Sequence, residues 1–399
     1  MKSRTLLFSI IMLLALNGCA GSKNDAFHQK KNDSQSVSNA VQNAKTLEDK
    51  ILISKFSDIS TLLNATDFSG NIIIAHGEKA VFKDFFGYYN RAKSLKYNEQ
   101  TVFDIGSLTK QFVATAIMKL VEEGVVSESD RLSRFFDSVP NDKQEITVFH
   151  LLTHSSGFAT NFEDKSVYGL MPHEELHLKA FQTKLAFIPG ERYQYSNVGY
   201  SLLARIIEKV SDENWENYIR ANLLLPTQMY QTGYRLPKYN ENNIAINYGA
   251  DQNLLQRLFN IEAQSKSVGH SLEHELISPG ERWYEGAGAF LSTQNDMFHW
   301  YVSIRNEALL KKSSWTQIFT PHVAQNESSS SHYGFGWVIT TKNNERLFTH
   351  NGSNGYSFAE FNYFPESDVF VFVSTNDIDN YPDKIMERIY RFAIESVEE

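Results

Sequence analysis

Apolar residues recur at helical spacing from near Leu47 through Ile51 and Ile53 to Leu62 and Leu63, and this predicts a first helix. Two runs of strand character follow, Asn71–Ala75 and Ala80–Phe86, joined by His-Gly-Glu-Lys, the pattern of a hairpin. Leu108, Phe112, Ala116 and Leu120 then fall four apart in a helix expected from Ser107 to about Glu123, with Gly124 as its stop. The stretch from about 125 to 290 reads as mostly helical and loop-rich. Strand patterns return at Tyr333–Thr341, Arg346–His350, Ser357–Tyr363 and Val369–Ser374, and a closing helix is expected from about Pro382 to Ser396. Strands at both ends with helices between them predict an α/β (α+β) architecture. An antiparallel sheet is flanked by terminal helices and interrupted by a helical subdomain at roughly 125–290. Pro-Gly-Glu-Arg occurs twice, at 189 and 279, as a turn signal rather than a repeat.

The N-terminal pattern is of another kind. Lys2 and Arg4 precede an apolar run, Leu6 to Leu16, too short for a permanent membrane span and suited to the core of a signal peptide. Leu16-Asn17-Gly18-Cys19 resembles the lipobox of bacterial lipoproteins. The resemblance implies cleavage after residue 18 and lipidation of Cys19, the single cysteine of the chain. Residues 20–45 are rich in Ser, Asn, Lys, Gln and Asp and predict a tether rather than a packed element. The expected organisation is a signal peptide at 1–18, a lipidated Cys19 with tether at 19–45, and one domain at 46–399. The chain is expected in the bacterial cell envelope, on the outer membrane facing the periplasm, held there through its lipid anchor. A net charge of -9 without a basic cluster argues against a nucleic-acid partner, and 42% apolar residues suffice for a large core.

Candidate chemistry begins at Ser107-Leu-Thr-Lys110. Positions three apart share a helical face, so the lysine can reach the serine hydroxyl. A serine is a weak nucleophile until a nearby base takes its proton, and a desolvated lysine can do so. Alone the spacing is common. It is joined in order by Tyr195-Ser-Asn197 and His350-Asn-Gly352, and by the phrases His150-Leu-Leu-Thr-His154-Ser-Ser-Gly157, Pro189-Gly190-Glu-Arg-Tyr-Gln-Tyr195, Gly286-Ala-Gly288-Ala-Phe-Leu-Ser292 and Tyr333-Gly-Phe-Gly-Trp337.

This ordered set resembles the serine beta-lactamase-like hydrolases: class C beta-lactamases, low-molecular-mass penicillin-binding proteins, D-aminopeptidases and family VIII esterases. The resemblance spans about Leu47 to the C-terminus. It implies the beta-lactamase/transpeptidase-like fold and hydrolysis through an acyl-enzyme, without a cofactor, of a small-molecule or peptidoglycan-like ester or amide. Ser107 would be the nucleophile. Lys110 and Tyr195 would shuttle its proton, with the tyrosine held as phenolate by the lysine. Asn197 would orient Lys110 and bind a polar group of the substrate. The amides of Ser107 and Ser353 would form the oxyanion hole, with Gly352 allowing close approach. His350 stands where class C beta-lactamases have a lysine for the substrate carboxylate. An ester or D-peptide substrate is therefore expected ahead of a dedicated beta-lactamase activity.

Two further motifs suggest a rival. His173-Glu174-Glu175-Leu176-His177 and His270-Ser-Leu-Glu273-His274 match zinc-peptidase patterns, but no third ligand follows at family spacing, so no metal site is expected. A non-catalytic protein holding cell-wall fragments on the same fold is the remaining alternative.

Overall fold

The computed structural model describes residue 56, residues 58–249 and residues 265–396. The expectations for the signal sequence, Cys19, the tether and the start of the first helix lie outside these residues. Residues 58–64 are helical.

Eight antiparallel strands form the main sheet: β1 (Gly70–His76), β2 (Lys79–Phe86), β3 (Val323–Ala324), β4 (His332–Tyr333), β5 (Val338–Lys342), β6 (Glu345–Ser353), β7 (Phe358–Phe364) and β8 (Val369–Thr375). Their spatial order is β2-β1-β8-β7-β6-β5-β4-β3, so the first hairpin docks directly beside the last strand. The pairing of Ile73 with Phe372 and of His350 with Phe361 fixes this register. Every residue of β8 is buried, which is why Val-Phe-Val-Phe-Val reads as a continuous apolar run rather than an alternation. Successive side chains still point to opposite faces. Phe370 and Phe372 join the main core, and the closing helix α5 (Asp383–Glu395) packs on the same strand. That helix buries Met386, Ile389, Tyr390, Ala393 and Ile394, an i, i+3, i+4, i+7, i+8 stripe.

One expectation changes. Tyr333–Thr341 is not a single strand. Gly334-Phe-Gly336-Trp337 turns the chain, Gly334 N–H donates to the Trp337 carbonyl at 2.8 Å, and Tyr333 pairs with Val338. Gly336 adopts φ 79°, and a β-carbon there would stand 2.8 Å from the Lys110 carbonyl. The turn therefore lets the sheet press against the helix that carries the candidate nucleophile.

That helix, α1 (Thr109–Glu122), continues a short 3₁₀ turn at Gly106–Leu108. It is buried on all sides from Thr109 to Met118, not along one stripe. The region from about 125 to 290 carries its regular structure mainly as helices joined by long loops, with α2 (His173–Gln182) and α3 (Asn197–Ser211) the longer ones among the described residues, and α4 (Gln294–Arg305) follows it. Helix α3 and the short helix Glu285–Gly288 both pack on α1. Lys110 is thereby enclosed between sheet and helical region, and burial removes water from its amine.

Candidate active site

Ser107 lies in the 3₁₀ turn that leads into α1 and is partly exposed, whereas Lys110 is fully buried three residues later. Lys110 Nζ is 3.0 Å from Ser107 Oγ and 2.8 Å from Asn197 Oδ1, and it also reaches the carbonyl of Ala287. The two carbonyl-type acceptors consume two N–H groups. In the neutral amine the remaining lone pair then faces the serine hydroxyl. Burial drives the pKa of Lys110 well below that of a free lysine, which favours this neutral form.

Tyr195 arrives from the loop before α3. Ser196 caps that helix by accepting from Gly199 N–H at 3.0 Å, and the Ser196 amide donates to His154 Nδ1 at 3.0 Å. The Tyr195 backbone carbonyl accepts from the Thr160 hydroxyl at 2.8 Å. Lys110 Nζ stands 4.8 Å from the centre of the Tyr195 ring, and the phenol is within reach of the Ser107 hydroxyl. Burial raises the Tyr195 pKa well above the usual value, and the serine draws it back only in part. Burial thus disfavours the ammonium form of Lys110 and the phenolate form of Tyr195 alike. The phenolate–ammonium pair anticipated from the sequence would place two charges in a site that disfavours both.

Asn197 spends its amide on both sides: Oδ1 accepts from Lys110, and Nδ2 donates to Asn161 Oδ1 at 2.8 Å. It orients the lysine and lines the adjoining cavity.

Gly352 and Ser353 end β6 against the turn that carries Ser107. A β-carbon on Gly352 would lie 2.0 Å from the Ile105 carbonyl and 2.6 Å from the Ser107 amide nitrogen. One on Gly106, whose φ is 49°, would lie 2.7 Å from the Ser353 nitrogen. Only glycine at both positions lets the end of β6 approach this turn so closely, the approach an oxyanion hole made of the Ser107 and Ser353 amides would need.

His350 is buried. Its Nε2 accepts from the Tyr333 hydroxyl at 2.9 Å, and Nδ1–H donates to the Asn351 carbonyl at 2.6 Å. Burial and the nearby Lys110 push its pKa down to about 3. It is a neutral histidine with both ring nitrogens engaged, and it offers no cation to a substrate.

A cavity of about 240 Å³ adjoins Asn197 and Ser353, lined also by Asp104, Tyr284, Gly288 and Asn354 among others. Asp104 is buried and accepts from the Gly106 amide at 2.6 Å and from Asn354 Nδ2 at 3.2 Å. Burial raises its pKa, against the pull of Ser271 and these two donors.

Several groups at this site escaped the sequence reading. The Gly286-Ala-Gly288 phrase was visible, but its use, a carbonyl held out to Lys110, was not. His154 lies with its ring 4.3 Å from Tyr195 and 4.5 Å from Tyr333, and its backbone is left-handed at φ 58°. The phrase around it was the signal, though not its wedging role. Tyr284 gave no signal at all.

The zinc-like motifs are used otherwise. His173 Nδ1 is 3.0 Å from Glu208 and Nε2 is 3.2 Å from Glu285, while Glu174 is drawn to Arg205 and Lys209. His177 stacks on Phe136 at 4.9 Å. His274 Nε2 meets the Tyr234 hydroxyl at 2.9 Å, and His270 Nδ1 accepts from the Leu272 amide. Among the described residues no three His, Cys, Asp or Glu side chains are grouped to hold a metal ion.

An antiparallel sheet meeting a helical region, with serine, buried lysine and tyrosine at the seam, defines a serine hydrolase of the acyl-enzyme type. The family model described as Beta-lactamase matches residues 64–395, and the chain belongs to that family. The chain is 26% identical to "Penicillin-binding protein 4*" of Bacillus subtilis over 330 residues, 80% of this chain and 70% of that protein. The octameric penicillin-binding protein homologue from Pyrococcus abyssi has a similar structure, with a TM-score of 0.70 and 26% identity over 86% of this chain and 77% of its own. The D-amino acid amidase from Ochrobactrum anthropi shares the fold, with a TM-score of 0.71 and 19% identity over 86% of this chain and 99% of its own.

Proposed function

We propose that this protein hydrolyses a small ester or D-amino-acid amide through an acyl-enzyme on Ser107, and that beta-lactam turnover is not its main activity. Neutral Lys110 takes the Ser107 proton as the hydroxyl oxygen attacks the carbonyl carbon. The amides of Ser107 and Ser353 stabilise the oxyanion, Tyr195 passes the proton to the departing group, and water releases the acyl group by the same route in reverse. The observation that carries this reading is the buried Lys110 amine 3.0 Å from Ser107 Oγ, with Asn197 Oδ1 and the Ala287 carbonyl to take the two hydrogens of its neutral form.

The substrate preference rests on charge. Class C beta-lactamases, as the resemblance implies, use a lysine where this chain has His350, and that histidine is neutral and internally paired. Asp104, a buried carboxyl with amide and hydroxyl partners, lines the same cavity and likewise supplies no cation to a substrate carboxylate. Turnover of p-nitrophenyl esters and D-alanyl amides above that of nitrocefin, with Ser107→Ala inactive on all three, is the expected result. Faster nitrocefin turnover would reverse the preference.

For the chain's location the reading is lipid attachment at Cys19 in the cell envelope, supported by the basic, apolar and small-residue order of residues 2–19. Metabolic labelling with a radiolabelled fatty acid should mark the wild type and not Cys19→Ser.

A further inference from the structure

Two phenols interact with the Ser107 hydroxyl, those of Tyr195 and Tyr284. The Tyr195 ring packs on Lys110, whereas Tyr284 lines the cavity together with Asn197 and Ser353. The seat of Tyr284 is built for it. A β-carbon on Gly288 would come within 2.4 Å of the Tyr284 hydroxyl oxygen, so the phenol takes up the space a side chain at 288 would need. The ring packs edge-on against Trp283 at 5.5 Å. The turn bearing it is fixed through Glu285, which accepts from the Arg282 amide at 2.6 Å and pairs with Arg235 at 2.7 Å and His173 at 3.2 Å.

We propose that Tyr284 is a catalytic residue that donates a hydrogen bond to the leaving-group heteroatom, a duty separate from the proton traffic of Lys110 and Tyr195. This rests on the acyl-enzyme reading above. Tyr284 lines the cavity beside Asn197 and Ser353, open space that a departing group can take, whereas the Tyr195 ring packs on Lys110. Burial and the adjacent Asp104 carboxylate hold the Tyr284 pKa up to about 12, so it keeps its proton and acts as a donor rather than a base. In acylation the bond from Ser107 Oγ to the acyl carbon forms, and the bond from that carbon to the leaving oxygen or nitrogen breaks. The leaving atom receives the proton that came from Ser107, while the Tyr284 O–H stabilises the charge on it during the crossing and remains intact afterwards.

Such a donor matters in proportion to the charge on the leaving atom. An alkoxide needs it, whereas p-nitrophenolate, already stabilised by its ring, needs it little. The test compares kcat/KM of the full chain for two esters of one acyl group, an alkyl ester and the p-nitrophenyl ester. This ratio reports the acylation half of the reaction whichever step limits kcat. Tyr284→Phe should depress the alkyl ester at least tenfold more than the aryl ester. Gly288→Ala, which leaves the phenol intact but forces it aside, should shift the ratio in the same direction. Equal losses on the two esters, or no loss on either, in variants that retain the wild-type melting profile would overturn the assignment. Labelling of Ser107 by a fluorophosphonate, abolished in Ser107→Ala, reports the acyl-enzyme reading independently, so the two ideas can fail separately.

Discussion

Lys110 carries the chemistry because its helix has no exposed face. The Ser-x-x-Lys spacing was plain in the sequence, but nothing in a local pattern says that Thr109 to Met118 would be buried throughout, and it is this burial that lowers the amine's pKa. The sign of the pH dependence follows. The amine acts when neutral, so activity is lost as pH falls through the lowered pKa and is retained above it. The acid limb of kcat/KM should lie well below the 10.5 of an ordinary lysine, and Lys110→Met should lower kcat by about 10²–10⁴-fold. A profile that rises only above pH 10 would mean that the amine is charged at rest. His350 was legible as a departure from the family's lysine, but its pairing with Tyr333 was not, since the hairpin that delivers Tyr333 reads in sequence as one strand. Tyr284 was invisible because its role depends on Gly288, four residues on, having no side chain.

Elements meet at this site only where glycine permits. The end of β6 presses on the 3₁₀ turn at Gly106, and both glycines leave the close approach free. Gly352→Ala should displace the two amides and cost about 10²–10³-fold in kcat, measurable by steady-state ester hydrolysis with circular dichroism as the control for folding. A variant of native activity would show that the approach is not needed. The helix Glu285–Gly288, which presents the Ala287 carbonyl to Lys110, is held from behind by α2 through His173. Burial alone would lower the pKa of this histidine, but hydrogen bonds and charge from Glu208 and Glu285 outweigh it and raise the value to about 9. Because the folded value lies above the ordinary 6.5, the stabilisation is complete below that pH and fades as pH rises through about 9. The melting temperature should therefore fall between pH 7 and pH 10 more steeply in the wild type than in His173→Gln. Identical slopes would remove His173 from the account. Sequence reasoning raised this histidine as a zinc ligand on its spacing from His177. The carboxylates that claim it come from residues 208 and 285, distant positions that a local motif does not report.

For the whole molecule, much of the architecture was readable. The first hairpin, the nucleophile helix, the last three strands of the sheet and the closing helix fall within a few residues of their patterns, because each buries a face whose period is visible. The exceptions share one cause. The turn at Gly334–Trp337 and the edge strand Val323–Ala324 are too short to carry a period. The family phrases located the seam between sheet and helical region where serine, lysine and tyrosine meet, yet could not supply the distances that give them roles. The central claim is that this seam makes Ser107 a nucleophile through an amine kept neutral by burial. Intact-protein mass spectrometry after brief mixing with a slowly hydrolysed ester addresses it most directly. The account predicts a mass increase of one acyl group located on the peptide containing Ser107, absent in Ser107→Ala and strongly slowed in Lys110→Met. An adduct on another residue, or undiminished acylation in either variant, would contradict it.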